Sequence, residues 1–182
     1  RYEGKTGLQN FRFELHRGER VLLRGVNGCG KSSFIKAVLG NAGNAETSGR
    51  LEIPAGLRIS YVNQDTSGLS GGLKDYARMH GLDESMLKAL LRQLDFERTQ
   101  FDKRMEEYSE GQKKKVLLAT SLLTPAHLYI WDEPLNFIDV FSRMQLEQLI
   151  LKYQPTMLLV EHDTVFGAKV ATRIVDITRT EP

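Results

Sequence analysis

The chain lacks most features that mark secreted, disulfide-stabilised or membrane-spanning proteins. It has one cysteine in 182 residues, which excludes an internal disulfide framework. No apolar run approaches the roughly 20 residues needed to cross a bilayer, and no signal-peptide pattern is present. The four histidines and the single cysteine form no cluster typical of a zinc site. These absences predict a cytoplasmic domain without membrane insertion.

The balance of charge is nearly even. The formal net charge is +2, with 41% hydrophobic and 26% charged residues, which is typical of a globular domain and too weakly basic to indicate nucleic-acid binding alone. Lys113, Lys114 and Lys115 form one basic run, interpreted as a solvated helix face, with contact to RNA or another acidic partner as the alternative. We expect residues 1–182 to be one domain, excised from a longer chain because it begins at Arg1 rather than Met.

Residues 25–32 carry the most specific pattern. They read Gly-Val-Asn-Gly-Cys-Gly-Lys-Ser and fit the phosphate-binding loop G-x-x-x-x-G-K-[ST]. A strand is predicted before the loop (20–24) and a helix after it (33–39), so backbone amides and a helix N-terminus would face an anion. The alternative is a glycine-rich turn that binds nothing. The prediction is a triphosphate site made by Asn27, Gly28, Cys29, Gly30, Lys31, Ser32 and Ser33.

Lys31 is placed to reach the β- and γ-phosphates, and Ser32 to hold Mg²⁺. Cys29 has two interpretations. It is either a small residue that fits the loop or a thiol whose modification blocks nucleotide binding.

An apolar strand predicted at 128–131 ends in two carboxylates. Asp132 is placed to hold Mg²⁺, and Glu133, one residue further, to polarise an attacking water. Such residues belong at a strand end, where an α/β sheet presents its ligands. The alternative is an acidic strand end in a turn led by Pro134.

Strands and helices alternate along most of the chain. We predict further strands at 11–15, 51–53, 57–62, 156–160 and 173–177, and helices at 112–123 and 144–151. The segment 73–105 reads as helical, with Asp83 as a cap and Met86 in the core. Alternation predicts an α/β fold with a mostly parallel sheet, and the helical segment indicates an inserted subdomain.

With these motifs the chain resembles an ATP-binding-cassette (ABC) ATPase domain. Gln64 resembles the Q-loop glutamine, Tyr108-Ser109-Glu110-Gly111-Gln112 the ABC signature, Asp139 the D-loop aspartate and His162 the switch histidine. Tyr2 stands about where the family has an aromatic residue that stacks on adenine. The resemblance implies ATP and Mg²⁺ as ligands. It also implies that Glu133, His162 and Gln64 are catalytic, and that the metal is held by Ser32, Gln64 and Asp132.

The resemblance also implies a fold. It is a P-loop NTPase cassette with a core at 1–66 and 124–182, an N-terminal antiparallel β part, and an α-helical subdomain at about 67–123. In this family the signature of one cassette covers ATP bound to another. Ser109, Gly111 and Gln112 would therefore act on a second cassette, in the same parent chain or in a homodimer.

A second stretch resembles the signature even more closely. Residues 69–73 read Leu-Ser-Gly-Gly-Leu, but they lie only five residues past Gln64 and no apolar strand soon follows. Ser109 instead suits the N-cap of a helix that leads into the strand at 128–131. Residues 69–73 are interpreted as a flexible loop.

The kind of ABC protein is indicated by Asn136, which agrees with the Asp-Glu-Pro-Thr-Asn-His-Leu-Asp of soluble ABC-F proteins. The patterns Tyr-Ser-x-Gly-Gln and Val-Glu-His-Asp resemble ABC-F proteins that act on the ribosome and confer antibiotic resistance. Glu110 departs from the usual signature glycine and would bring negative charge near the triphosphate. Three interpretations stay open: an ABC-F cassette acting on the ribosome, the nucleotide-binding domain of a membrane transporter, and a nucleotide-binding module without catalysis.

Overall fold

The computed structural model describes residues 11–40 and 50–177. Within them, one sheet has the strand order β2-β3-β4-β1-β5, and every pairing is parallel. This confirms the mixed α/β fold with a parallel core. The strands are β1 (Arg20–Arg24), β2 (Ile59–Val62), β3 (Leu128–Asp132), β4 (Met157–Val160) and β5 (Arg173–Asp176).

Six α-helices connect or flank these strands in the described ranges. They are α1 (Lys31–Val38), α2 (Leu73–Met79), α3 (Glu84–Gln93), α4 (Glu110–Leu123), α5 (Val140–Tyr153) and α6 (Thr164–Val170). Short 3₁₀ turns lie at Arg98–Gln100 and Met105–Glu107. Side chains that accept a hydrogen bond from the first turn fix the start of four helices; these caps are Asp83, Ser109, Asp139 and Asp163.

The sheet separates two apolar clusters. Alternate residues of a strand point to opposite faces, so Leu22 belongs to one cluster while Val21 and Leu23 belong to the other. The cluster around Leu22 continues without interruption into α3, through Leu87 and Leu91. The helices between β2 and α4 therefore lie on this side of the sheet, where α2 packs against α3, α3 against α4, and α4 against β2.

Two predicted strands are wrong. Residues 11–15 and 51–53 have no regular strand structure, so the described residues contain no N-terminal antiparallel part. The alternation at 11–15 reflects burial instead, because Phe11 and Phe13 pack against Phe34 with ring centroids 5.3 and 5.2 Å away.

Met86 was expected in the core but is 58% exposed. The buried face of α3 is formed by Leu87 and Leu91 instead. The predicted cap on this helix is confirmed, since the Asp83 carboxylate accepts from the Met86 amide at 2.8 Å.

None of the helices in residues 11–40 and 50–177 is long and apolar enough to cross a membrane.

Candidate active site

The predicted site residues follow four strands that end at the same edge of the sheet. Leu23 of β1 and Asp132 of β3 both lie opposite Val160 of β4, and Val62 of β2 lies opposite Trp131 of β3. Because the strands are parallel, the segments after them meet at one edge. These segments carry the phosphate-binding loop, Gln64, the Asp132–Glu133 pair and His162.

The glycine loop has the backbone that its sequence predicts. Gly28 and Gly30 have φ angles of 76° and 112°, which side chains with a Cβ rarely adopt. Gly25 is required for a different reason, because a Cβ there would lie 2.5 Å from the main-chain oxygen of Ile177. Gly30 is the N-cap of α1 and offers no side-chain cap, so the first amides of α1 stay available to an anion.

Lys31 is buried under this loop. Its Nζ donates to the main-chain oxygens of Gly25 and Val26 at 2.6 and 3.1 Å. Cys29 is 1% exposed with its sulfur 4.0 Å from the Lys31 ammonium, which favours its interpretation as a small residue that fits. Val26, Asn27, Gly28, Ser32 and Ser33 are exposed at the rim of the loop.

Asp132 and Gln64 meet between β2 and β3. The Gln64 amide nitrogen lies 3.5 Å from Asp132 Oδ1. Burial raises the pKa of Asp132, opposed by the Gln64 hydrogen bond and by the charges of Lys114 and Lys31. A buried carboxylate beside an amide, with the exposed Ser32 hydroxyl, is the oxygen donor set that Mg²⁺ takes. The residues present therefore fit the metal that the resemblance implies.

Glu133 and His162 are brought together. His162 Nε2 lies 3.5 Å from Glu133 Oε1, and the Asn136 amide donates to Glu133 Oε2 at 2.8 Å. Glu133 has a φ of 50°, uncommon for a residue with a side chain. Its amide donates to the main-chain oxygen of Val160 at 2.8 Å, which holds this conformation in place.

Sequence reasoning missed Glu161, the residue before His162. Its side chain is buried, and Oε1 accepts from the amides of His162 and Asp163 at 2.7 and 3.1 Å. Oε2 accepts from the amide of Leu135 at 3.1 Å. Glu161 thus joins the His162 segment to the turn after Glu133. A carboxylate directly after a fully buried strand was the available signal.

The signature begins α4 as predicted. Ser109 Oγ accepts from the Gln112 amide at 3.2 Å, and Gln112 Oε1 accepts from the Ser109 amide at 2.9 Å. The Ser109 hydroxyl acts as an acceptor here and keeps its own proton to donate. A Cβ on Gly111 would lie 2.5 Å from the main-chain oxygen of Phe137, so Gly111 also serves the close contact with the D-loop segment.

The lysine run is not a solvated face, and that interpretation is wrong. Lys114 and Lys115 are 1% and 7% exposed because α4 is packed on several sides. Lys114 Nζ donates to the main-chain oxygen of Asn63 at 2.8 Å, and Lys115 Nζ lies 2.7 Å from Asp139 Oδ2. Burial would raise the pKa of Asp139, but Lys115 and Ser142 together lower it to about 2.

The stretch at 69–73 is fixed by hydrogen bonds rather than flexible. Gly72 pairs with Arg104 in an antiparallel bridge, and the Met105 amide donates to the Gly71 oxygen at 2.9 Å. It leads into α2, where Gly72 is the N-cap and no side chain caps the helix. Tyr2, predicted to stack on adenine, lies outside the described residues.

Comparison with known proteins agrees with the fold. The profile of the ABC transporter family matches residues 8–136. The chain is 33% identical over 177 residues to the ATP-binding protein Uup of Buchnera aphidicola, covering 93% of this chain and 29% of that protein. It is 26% identical over 194 residues to ABC transporter F family member 5 of Arabidopsis thaliana, covering 97% of this chain and 26% of that protein.

The chain also resembles solved structures. It superposes with a TM-score of 0.73 on a chain from the complex of archaeal ribosomal stalk protein aP1 and ribosome recycling factor aABCE1. It is 27% identical, and the match covers 89% of this chain and 32% of that chain. The present chain thus spans roughly a third or less of the length of these relatives.

The chain belongs to the ABC family and is an ATP-binding ABC ATPase domain with ABC-F-like relatives. ATP hydrolysis is general among ABC cassettes, and these cassettes work in pairs.

Proposed function

We propose that the chain is one cassette of an ABC-F protein that closes with a second cassette around Mg-ATP and acts on the ribosome. The observation that carries this proposal is the contact of Asn136 with Glu133 Oε2 at 2.8 Å. Asn136 is the residue that separates the ABC-F pattern from the common transporter pattern, and it touches the side chain best placed to activate water. The distinguishing residue thus belongs to the hydrolytic site.

The residues at the carboxyl edge divide the work of hydrolysis. Lys31 and the first amides of α1 bind the β- and γ-phosphates, and Lys31 exchanges its loop carbonyls for phosphate oxygens. Glu133 accepts a proton from water, while His162, 3.5 Å from it, orients the water and the γ-phosphate.

Ser32, Gln64 and Asp132 would hold Mg²⁺, which would supply charge stabilisation at the phosphates.

Pairing is supported by the start of α4. The Ser109 hydroxyl accepts from the Gln112 amide and keeps a proton to donate, and Gly111 lies against the D-loop segment of its own chain. Because the signature of one cassette covers ATP bound to another in this family, we assign Ser109 and Gly111 to ATP held by a second cassette.

One solved neighbour supports action on the ribosome, because it is a chain in the complex of archaeal ribosomal stalk protein aP1 and ribosome recycling factor aABCE1. The similarity to ABC transporter F family member 5 supports the ABC-F assignment. The finer proposal is resistance to ribosome-targeting antibiotics, from the patterns Tyr108-Ser-Glu-Gly-Gln112 and Val160-Glu-His-Asp163.

The test uses the intact protein that contains this chain. Glu133→Gln keeps ATP but blocks its hydrolysis, so we expect this variant to pellet with ribosomes in Mg-ATP and to stay in the supernatant in ADP. The double variant Lys31→Ala, Glu133→Gln is the control and should not pellet in either nucleotide. Absence of ATP-dependent pelleting would contradict action on the ribosome.

The resistance proposal has its own readout. Expression of the intact protein should raise the inhibitory concentration of lincosamides, streptogramin A or pleuromutilins, and Lys31→Ala should remove that effect. An unchanged inhibitory concentration for all three antibiotic classes would refute the resistance role. It would not decide ribosome binding, which the pelleting experiment tests separately.

The alternative is the nucleotide-binding domain of a membrane transporter, favoured by the description of the matching family profile. It predicts that the intact protein copurifies with a membrane-spanning subunit or contains membrane spans of its own. Sequencing the parent reading frame distinguishes the two proposals.

A further inference from the structure

Two side chains of α4 contact the segment that carries Gln64. Thr66 Oγ1 donates to Glu110 Oε2 at 2.5 Å, and Lys114 Nζ donates to the main-chain oxygen of Asn63 at 2.8 Å. Residues 63–66, here called the Gln64 segment, are therefore attached to the first two turns of α4 on both sides of Gln64.

In each of these two contacts, one of the two residues is buried. Lys114 is 1% exposed and Thr66 is 7% exposed. Burial lowers the pKa of the Lys114 ammonium, but the carboxylates of Asp132, Glu133 and Glu161 act in the opposite direction. A buried ammonium that loses its acceptor pays a large desolvation penalty, so the Lys114 contact resists displacement.

The Gln64 side chain has little else to fix it. Gln64 is exposed, and its amide makes a long 3.5 Å contact with Asp132 Oδ1. A flexible side chain of this kind loses considerable rotamer freedom when ordered, so its position depends on how firmly the backbone beneath it is held.

We propose that Lys114 and Glu110 are positioning residues for hydrolysis: they hold the Gln64 segment against α4 so that the Gln64 amide faces Asp132. This proposal rests on the proposed role of Gln64. The proposal also explains Glu110, which departs from the usual signature glycine. Its carboxylate was expected near the triphosphate, but it accepts hydrogen bonds from Thr66 and Lys113 of its own chain.

The first test measures amide hydrogen exchange of residues 63–69 in the intact protein without nucleotide. Lys114→Met and Thr66→Val should each speed exchange of this segment by about tenfold. The control is Lys74→Met, an exposed lysine of α2, and exchange of the segment should not change in it. Unchanged exchange in both test variants would overturn the proposal, whether or not the protein hydrolyses ATP.

The second test asks whether Lys114 acts through Gln64. Lys114→Met should lower kcat by about tenfold in the wild-type background and by less than about twofold when Gln64→Ala is already present. KM for ATP should change less than about twofold, because the phosphate-binding loop is untouched. Equal losses of kcat in both backgrounds would show that Lys114 does not act through Gln64 and would overturn the proposal.

Conservative variants separate positioning from general stability. Glu110→Gln keeps an oxygen that accepts from Thr66, so its kcat should stay within about twofold of wild type, while Thr66→Val should lower kcat. If the urea midpoint of Lys114→Met shows that this variant is too unstable to assay, Thr66→Val replaces it in both the exchange and the kinetic experiments. Should wild-type turnover be independent of Glu133, the proposed function fails, and the exchange experiment alone decides the attachment of the Gln64 segment.

Discussion

The ammonium of Lys115 lies 2.7 Å from a carboxylate oxygen of Asp139. This ion pair joins α4, which begins at the signature, to α5, which begins after the D-loop. Beside it, the main-chain oxygen of Phe137 approaches Gly111 so closely that no Cβ fits between them. The two segments expected to face a second cassette are therefore fixed to each other within one chain.

The Lys115–Asp139 pair makes stability depend on pH. The pKa of Asp139 is lowered from 3.8 to about 2, so its contribution is present above about pH 4 and is lost as the pH falls toward 2. At pH 7, Asp139→Asn should lower the free energy of unfolding by about 1 kcal/mol, because the pair is partly exposed and Asn still caps α5.

Urea denaturation between pH 7 and pH 2 measures this. The difference between wild type and Asp139→Asn should shrink below about pH 4 and be mostly lost by pH 2, where folded Asp139 is half protonated. Lys115→Met should add little to Asp139→Asn, since the pair is already broken. A difference that stays constant with pH would contradict the role of this ion pair.

Because the main-chain oxygen of Phe137 lies so close to Gly111, we expect this position not to tolerate a side chain. Gly111→Ala should lower the free energy of unfolding by about 1–3 kcal/mol, because the D-loop segment must shift to accommodate the methyl group. The matched control is Gly68→Ala, where a Cβ would meet nothing within 4 Å. Equal urea midpoints for the two alanine variants would disprove this contact.

Glu161 should matter for hydrolysis without touching nucleotide. Its Oε1 accepts from two backbone amides and its Oε2 from the Leu135 amide. Gln has only one acceptor oxygen, so Glu161→Gln leaves at least one of these donors unpaired at a cost of about 1–3 kcal/mol. We expect kcat to fall about tenfold or more, since the His162 segment and the turn after Glu133 are no longer held together, while ATP affinity in a filter-binding assay stays unchanged.

The control for that experiment is Glu14→Gln, a carboxylate whose side chain is 85% exposed. It should leave both kcat and stability as in wild type. A large loss of ATP affinity in Glu161→Gln would place this residue at the phosphate site instead.

What the sequence predicts well is local. The loop at 25–32, the pair Asp132–Glu133 and His162 each depend on a short pattern after a strand, and parallel topology then brings these strand ends together. Ser109 depends on an N-cap pattern at the start of a helix. The alternation of apolar and charged residues at 11–15 shows the limit of such patterns. It predicts which side chains are buried, but it does not predict whether a neighbouring strand is there to pair with.

The roles of Lys114, Lys115 and Glu161 depend on tertiary contacts that sequence spacing does not encode. Each is a charged residue buried by an element distant in the chain, and charged residues are mostly exposed. For the same reason Met86 was wrongly placed in the core: helical spacing gives a face of α3, but the packing of α3 on α2 and α4 decides where that face ends.

We expect Glu133 to activate water for ATP hydrolysis at this edge of the sheet. The most direct measurement is ATP turnover by the intact protein and its Glu133→Gln variant at saturating Mg-ATP, with ATP binding measured in parallel. We predict that the variant binds ATP as wild type does and loses turnover by about 10²- to 10⁴-fold. Turnover that is unaffected by Glu133→Gln would contradict this role of Glu133.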